Sequence, residues 1–147
     1  MKNEPSCYSI DDLKRDRTYV WDGVRNYQAR NLLRDDMKEG DLMLYYHSNA
    51  NPTGIVGIGK ITRGAYPDPS QFDPRSEYFD AKATTDTPRW IAVDVSFVSK
   101  LTDPLTLDEL KKEPFFIDML VVKKGMRLSV QPVAKKHFDR IAKSKME

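Results

Sequence analysis

Trp90-Ile-Ala-Val-Asp-Val-Ser-Phe-Val98 alternates so that Ile91, Val93, Val95 and Phe97 share one face, which is the two-residue period of a half-buried β-strand. Upstream, Gly54-Ile-Val-Gly-Ile-Gly-Lys-Ile-Thr62 is a β-branched partner whose three glycines predict bulges or tight curvature. Asp41-Leu-Met-Leu-Tyr-Tyr46 follows Gly40 as a further strand, and His47 to Thr53 is a turn-rich connection. Between these strands the helix signals are short. Ser9 and Asp12 make a capping box that starts a helix at Ile10, ending near Arg15. Asn26 to about Arg34, entered through Gly23, has no Gly or Pro and reads as a second helix. Thr106 and Glu109 box a third after Pro104, and Pro132 introduces a fourth from Val133 to Ala142, with Val133, His137, Phe138 and Ile141 on one face. Arg127-Leu-Ser-Val130 reads as a short strand. Residues 66–89, dense in Pro, Asp, Ser and Thr, read as a long surface excursion with a short strand at Tyr78-Phe79. Short strands interrupted by short helices, without βαβ alternation, predict an α+β fold around a small curved sheet rather than a dinucleotide-binding fold.

Composition bounds the rest. At 147 residues the chain fits one domain, 1–147, with a real core, and 39% hydrophobic against 31% charged content is ordinary for a soluble protein. No apolar run approaches the ~20 residues a spanning helix needs, and no charged n-region precedes an apolar stretch, so the expectation is a cytoplasmic protein, nuclear if eukaryotic, with no membrane partner. The lone Cys7 excludes an internal disulfide and a multi-thiolate metal site, and neither histidine has a neighbour at metal-ligand spacing, so neither metal nor cofactor is expected. The net charge of +2 is unevenly spread: residues 121–147 carry eight basic groups, Lys123, Lys124, Arg127, Lys135, Lys136, Arg140, Lys143 and Lys145, against two acidic ones. Such a tail meets a phosphate backbone or is simply a solvated helix face.

The densest chemistry lies in Trp21-Asp-Gly-Val-Arg-Asn-Tyr-Gln-Ala-Arg-Asn31, which places amides, guanidinia and aromatic rings where an ordinary fold puts Leu and Lys. Arg offers a planar fork of donors, Asn and Gln a donor beside an acceptor, and Trp and Tyr a face on which a base stacks. Each element also has a plainer reading. Trp21 is a core plug or an aromatic wall, Gly23 lets backbone approach a ligand, and Val24 follows it. Asn26 is a helix N-cap or a base contact, Tyr27 and Asn31 share a helix face, and Gln28 is hard to explain as a cap. His47, Ser48 and Asn49 form a turn or the polar mouth of a pocket. Trp90 is a second wall or a core cover, and Ser129 with Gln131 either faces the pocket or ends the sheet before Pro132. Tyr66-Pro-Asp-Pro69 reads as a rigid turn with Asp68 bonded to backbone amides. Phosphate-binding loops, paired catalytic carboxylates, a serine elbow and a zinc-deaminase pattern are absent from the sequence, and an enzyme is not expected.

Lys2-Asn-Glu-Pro5, Tyr8-Ser-Ile-Asp-Asp-Leu13, Trp21 to Asn31, His47-Ser-Asn49, Ala-Tyr-Pro-Asp-Pro (65–69), Pro88-Arg-Trp90 and Arg127 to Pro132, in this order, resemble the EVE domain of the PUA-like superfamily, related to the YTH readers of methylated RNA bases. The resemblance runs from Met1 to about Ile141; Asn3 stands where the family usually has Ser. It implies a mixed sheet curled into a pseudo-barrel with short flanking helices, and a non-catalytic, monomeric reader that takes a modified base of DNA or RNA into an aromatic-walled pocket. On this reading Trp21 and Trp90 flank one cavity and stack the base, and Asn26, Ser48 and Asn49 address its edge. Arg25, Arg30, Lys123, Lys124 and Arg127 approach phosphates. The alternatives are a small nucleotide or nucleoside enzyme of the ASCH type, which lacks a nucleophile here, and a protein adaptor using residues 66–89.

Overall fold

The computed structural model describes residues 1–145, with side chains as far as Lys143, so Lys145 of the basic tail lies outside the described side chains. Five strands form one mixed sheet in the order β1-β3-β4-β5-β2. They are β1 (Lys2–Asn3), β2 (Thr18–Trp21), β3 (Leu42–His47), β4 (Gly54–Pro67) and β5 (Ile91–Thr106). Only β1 with β3 is parallel; the other pairings are antiparallel. The α+β reading and its curved sheet hold. The edges β1 and β2 are not paired with each other, so the sheet is curled but open.

How far it curls is set by the long β4–β5 ribbon, whose register shifts four times between Ile55 and Tyr66. Such irregularities bend strands and increase twist. Three strand spacings separate β3 from β2, about 14 Å in a flat sheet. Yet the ring of Trp21 on β2 touches that of Tyr45 on β3, centroids 5.4 Å apart. The concave face is therefore closed by side chains rather than by backbone hydrogen bonds.

Four helices, α1 (Ile10–Asp16), α2 (Tyr27–Asn31), α3 (Leu107–Lys112) and α4 (Lys135–Lys145), flank the sheet. α1 starts where the capping box placed it, with Ser9 and Asp12 each accepting the other's backbone N–H. α2 is one turn long, and Leu32–Asp36 continues it as a wider π turn. Two apolar clusters result. One packs Ile10, Leu13, Ala29 and Leu33 against Trp21, Tyr45, Val56, Ile61, Val93 and Val95; the other packs Leu110, Phe116 and Ile141 against Leu44, Tyr46, Ile58 and Leu101. Gly57 lets α1 sit close, because a Cβ there would stand 2.5 Å from Ile10 Cδ1. Among the described residues no helix is long and apolar enough to cross a membrane.

Three local expectations are corrected. Arg127–Val130 is not a strand: β1 is two residues long, and the single bond from the Lys2 N–H to the Ser129 carbonyl, 2.8 Å, is all it offers there. Tyr78-Phe79 is a turn, because its partners are side chains and turn carbonyls rather than a second strand. The last helix begins at Lys135, leaving Val133 outside it and exposed.

Candidate functional site

The two-residue period of β2 turns Tyr19 and Trp21 to the concave face, and that of β3 turns Tyr45 and His47 to meet them. Tyr8, just before α1, completes the row. Tyr8 stacks on Tyr19 with centroids 3.8 Å apart, Tyr19 meets Trp21 edge-on at 5.9 Å, Trp21 meets Tyr45 at 5.4 Å, and Tyr45 meets His47 at 5.7 Å. Polar atoms interrupt this aromatic surface. Burial pushes the Tyr19 and Tyr45 phenols up, and the Asn3 amide lies close enough to both to counter part of that rise. Trp21 is 3% exposed. No described residue accepts from its indole N–H, and among the described residues no fully buried polar side-chain atom lacks a partner, so this N–H reaches the surface.

A buried polar knot fixes the segment after Trp21. Asp68, fully buried, accepts from the Gly23 N–H at 2.8 Å, Arg25 Nη1 at 3.0 Å, the Ser70 N–H at 2.8 Å and Ser70 Oγ at 2.5 Å. Burial works against this carboxylate, but the bonds from Ser70, Gly23 and Arg25 outweigh it and hold its carboxyl below the usual range. Arg25 also donates to Val24 O, Ser70 Oγ and Tyr78 O, so all three of its nitrogens are engaged within the protein. Gln71, equally buried, clamps the other end: its amide donates to Asp68 O and Trp90 O while its carbonyl accepts from the Arg89 and Trp90 N–H groups. The 66–89 excursion is thereby tied to the Trp21–Arg25 segment, and Tyr78 lies over Gly23, where a Cβ would come within 2.8 Å of its ring. Gly23 also has φ +77, a conformation that favours glycine.

The two indoles have different neighbours. Trp90 gives its N–H to Asp80 at 2.8 Å and stacks on Tyr27 at 4.9 Å, which closes the 66–89 excursion onto α2, whereas Trp21 belongs to the β2–β3 row. Neither lines two clefts that open beside β1 and β3. One, of about 760 Å³, is lined by Leu32, Met37, Leu42, Met43, Val133 and Phe138; the other, of about 40 Å³, by Lys2, Tyr46, Ser129 and Gln131. Ser129 and Gln131 therefore lie apart from the aromatic row, and Gln131 donates to Leu128 O. Asn26 caps α2, accepting from the Ala29 N–H at 3.0 Å, and Gln28 is exposed. Val24 is buried in the core. Arg30 lies 4.8 Å from the Tyr27 ring and donates to Arg89 O and Asn31 Oδ1. The Ser48 N–H extends the β1–β3 pairing to Asn3 O, and Asn49, at φ +47, donates to Glu4 Oε1. Lys123, Lys124 and Arg127 are exposed on the loop that Lys2 anchors through Met126 O. Tyr19, Tyr45, Tyr78, Asn3 and Asp22 were not among the sequence candidates, although alternation through Thr18–Trp21 and Tyr45–His47 carries the signal for the first two.

His47 accepts the Ile10 N–H on Nε2 at 3.1 Å, satisfying a helix N-terminal donor, and only a neutral imidazole protonated on Nδ1 does so. Burial lowers its pKa from the ordinary 6.5, with Asp11 opposing and Lys100 reinforcing that shift. A folded-state pKa below the unfolded one means the unfolded chain binds the extra proton first, so this contribution is complete above pH 6.5 and is lost as pH falls below it. Thermal unfolding of the protein should therefore drop more steeply between about pH 6.5 and 5 than that of His47→Gln, which keeps an acceptor without titrating. Identical pH profiles for the two would remove His47 from this account.

Comparison with known proteins agrees with this geometry. The family model for the EVE domain matches residues 1–144. Thymocyte nuclear protein 1 of Gallus gallus is 40% identical over 141 residues, 90% of this chain and 58% of that protein, so the chain spans less than two thirds of this relative. A crystal structure of a Pseudomonas syringae protein has 50% identity and a TM-score of 0.91, covering 96% of this chain and 94% of that one. Human THYN1 protein in complex with 5-methylcytosine-containing DNA has 39% identity and a TM-score of 0.88, covering 96% and 92%.

Proposed function

This chain belongs to the EVE domain family, and we propose that it is a non-catalytic reader that takes a modified base of DNA against the partly exposed ring of Tyr19 and the indole N–H of Trp21. The observation that carries this is Trp21, an indole almost wholly covered by other rings whose one polar atom is left for something outside the chain. An indole in a pure core position spends or buries that N–H. The relative whose complex holds 5-methylcytosine-containing DNA supports the same reading. Stacking contributes ~1–3 kcal/mol per base and extrusion from a duplex costs a few kcal/mol, so polar contacts are needed to close the balance. Asn3, Asp22 and the Trp21 N–H supply them. Lys123, Lys124 and Arg127 meet phosphates; Arg25 and Arg30 instead hold the fold, because their nitrogens are committed to Asp68, Ser70, Val24 and Tyr78 in one case and to Asn31 and Arg89 in the other.

Tryptophan fluorescence titration with single-stranded oligonucleotides differing at one central base, cytosine or 5-methylcytosine, tests the proposal. The methylated strand should bind more tightly and quench more at saturation. Equal binding of both, or turnover of a free nucleoside, points to another function.

A further inference from the structure

Beside Trp21 stands a carboxylate that no other described side chain bonds. Asp22 is half-buried between the indole and the left-handed Gly23, and no side-chain hydrogen bond or ion pair joins it to another described residue. The nearest guanidinium, Arg25, is turned to Asp68, Ser70 and two backbone carbonyls. Its charge is felt by the phenol of Tyr19, a ring of the proposed base site, and by that of Tyr78, which lies over Gly23. Burial, and then the neighbouring Asp68 charge, push its carboxyl up, the opposite of what the buried Asp68 experiences. An uncompensated acceptor in that position is unfavourable for the fold alone and favourable once a donor arrives.

Resting on the reader function above, we propose that Asp22 is the specificity residue that accepts the exocyclic amino group of a cytosine-type base and so excludes thymine. A methyl group does not make that distinction. 5-Methylcytosine and thymine carry the same methyl, whose burial gives only about fourfold in affinity over the unmethylated base. They differ at the edge, where cytosine presents an N4 amino donor and thymine an O4 acceptor. A carboxylate attracts the first and repels the second, and one such contact corresponds to roughly tenfold in binding.

The test uses the full chain and three single-stranded DNA oligonucleotides identical except for a central cytosine, 5-methylcytosine or thymine. The protein should bind the 5-methylcytosine strand roughly tenfold more tightly than the thymine strand. Asp22→Ala should bring these two within about twofold while keeping the roughly fourfold preference for 5-methylcytosine over cytosine. Asp22→Asn, isosteric and able to donate or accept, should bind thymine and 5-methylcytosine about equally and unfold at the same temperature as the parent or higher, which a structural role for Asp22 does not allow. A tenfold preference over thymine retained by folded Asp22→Ala or Asp22→Asn overturns the role of Asp22 and leaves the reader function standing. Failure of the parent protein to separate any of the three strands overturns both.

Discussion

Asp68→Ala is expected to cost about 3–5 kcal/mol, the range for removing one member of a buried ion pair. The carboxylate accepts four hydrogen bonds, and its loss strands the Arg25 guanidinium, the Gly23 N–H and both Ser70 donors together. Denaturant midpoints measure this directly. Asp68→Asn retains an acceptor toward Ser70 and Gly23 and should lose less. Arg25→Met in the Asp68→Ala background should recover part of the loss, since removing both charges avoids an unpaired one. The knot also holds Tyr78 over Gly23 next to Trp21, so a folded Asp68 variant should bind DNA more weakly as well. An Asp68→Ala protein within 1 kcal/mol of the parent would mean that the Arg25–Asp68 pairing does not anchor the 66–89 excursion.

Trp21→Ala combines two losses. Removing a buried indole from the cluster of Tyr19, Tyr45, Val93 and Val95 costs about 3–5 kcal/mol of stability. The same change removes the indole N–H offered to the base, worth about 0.5–1.5 kcal/mol of binding. Trp21→Phe separates them: it keeps an aromatic ring in the core but lacks the N–H, so it should stay folded and bind the methylated and unmethylated strands more weakly alike. Trp90→Phe is the control. Its indole N–H serves Asp80 and its ring serves Tyr27, so that change should destabilise the loop without altering base preference. Unchanged affinity in Trp21→Phe together with lost affinity in Trp90→Phe would move the proposed site to the Tyr27–Trp90 pair.

The parts of this molecule that were legible in the sequence are those fixed by neighbours in the chain. The Ser9–Asp12 box, the Thr106 cap, the alternation of Val93 and Val95, and the Asp68 turn each depend on groups within about four residues, and each stands where the sequence placed it. β2 was hidden because four residues with two exposed positions make no apolar run; it is a strand only because β5 lies beside it. Arg25 and Trp90 were not placed for a related reason. A guanidinium or an indole advertises what it can bind, and which partner it meets depends on residues 10 to 43 positions away, Asp68 for Arg25 and Gln71 with Asp80 for Trp90 among them.

Local capping, strand periodicity and family signatures, all written in the chain, thus determined the α+β class, the starts of α1 and α3, and the kind of ligand to look for. The curl of β4 and β5 alone brought Trp21 against Tyr45 and gathered an aromatic face from strands three places apart, while the fold of 66–89 spent Arg25 and Trp90 internally and left Asp22 free. Curvature is a collective property of many small register shifts, and hydrogen-bond donors are a finite resource shared across the whole fold, so neither is decided until every segment has found its place.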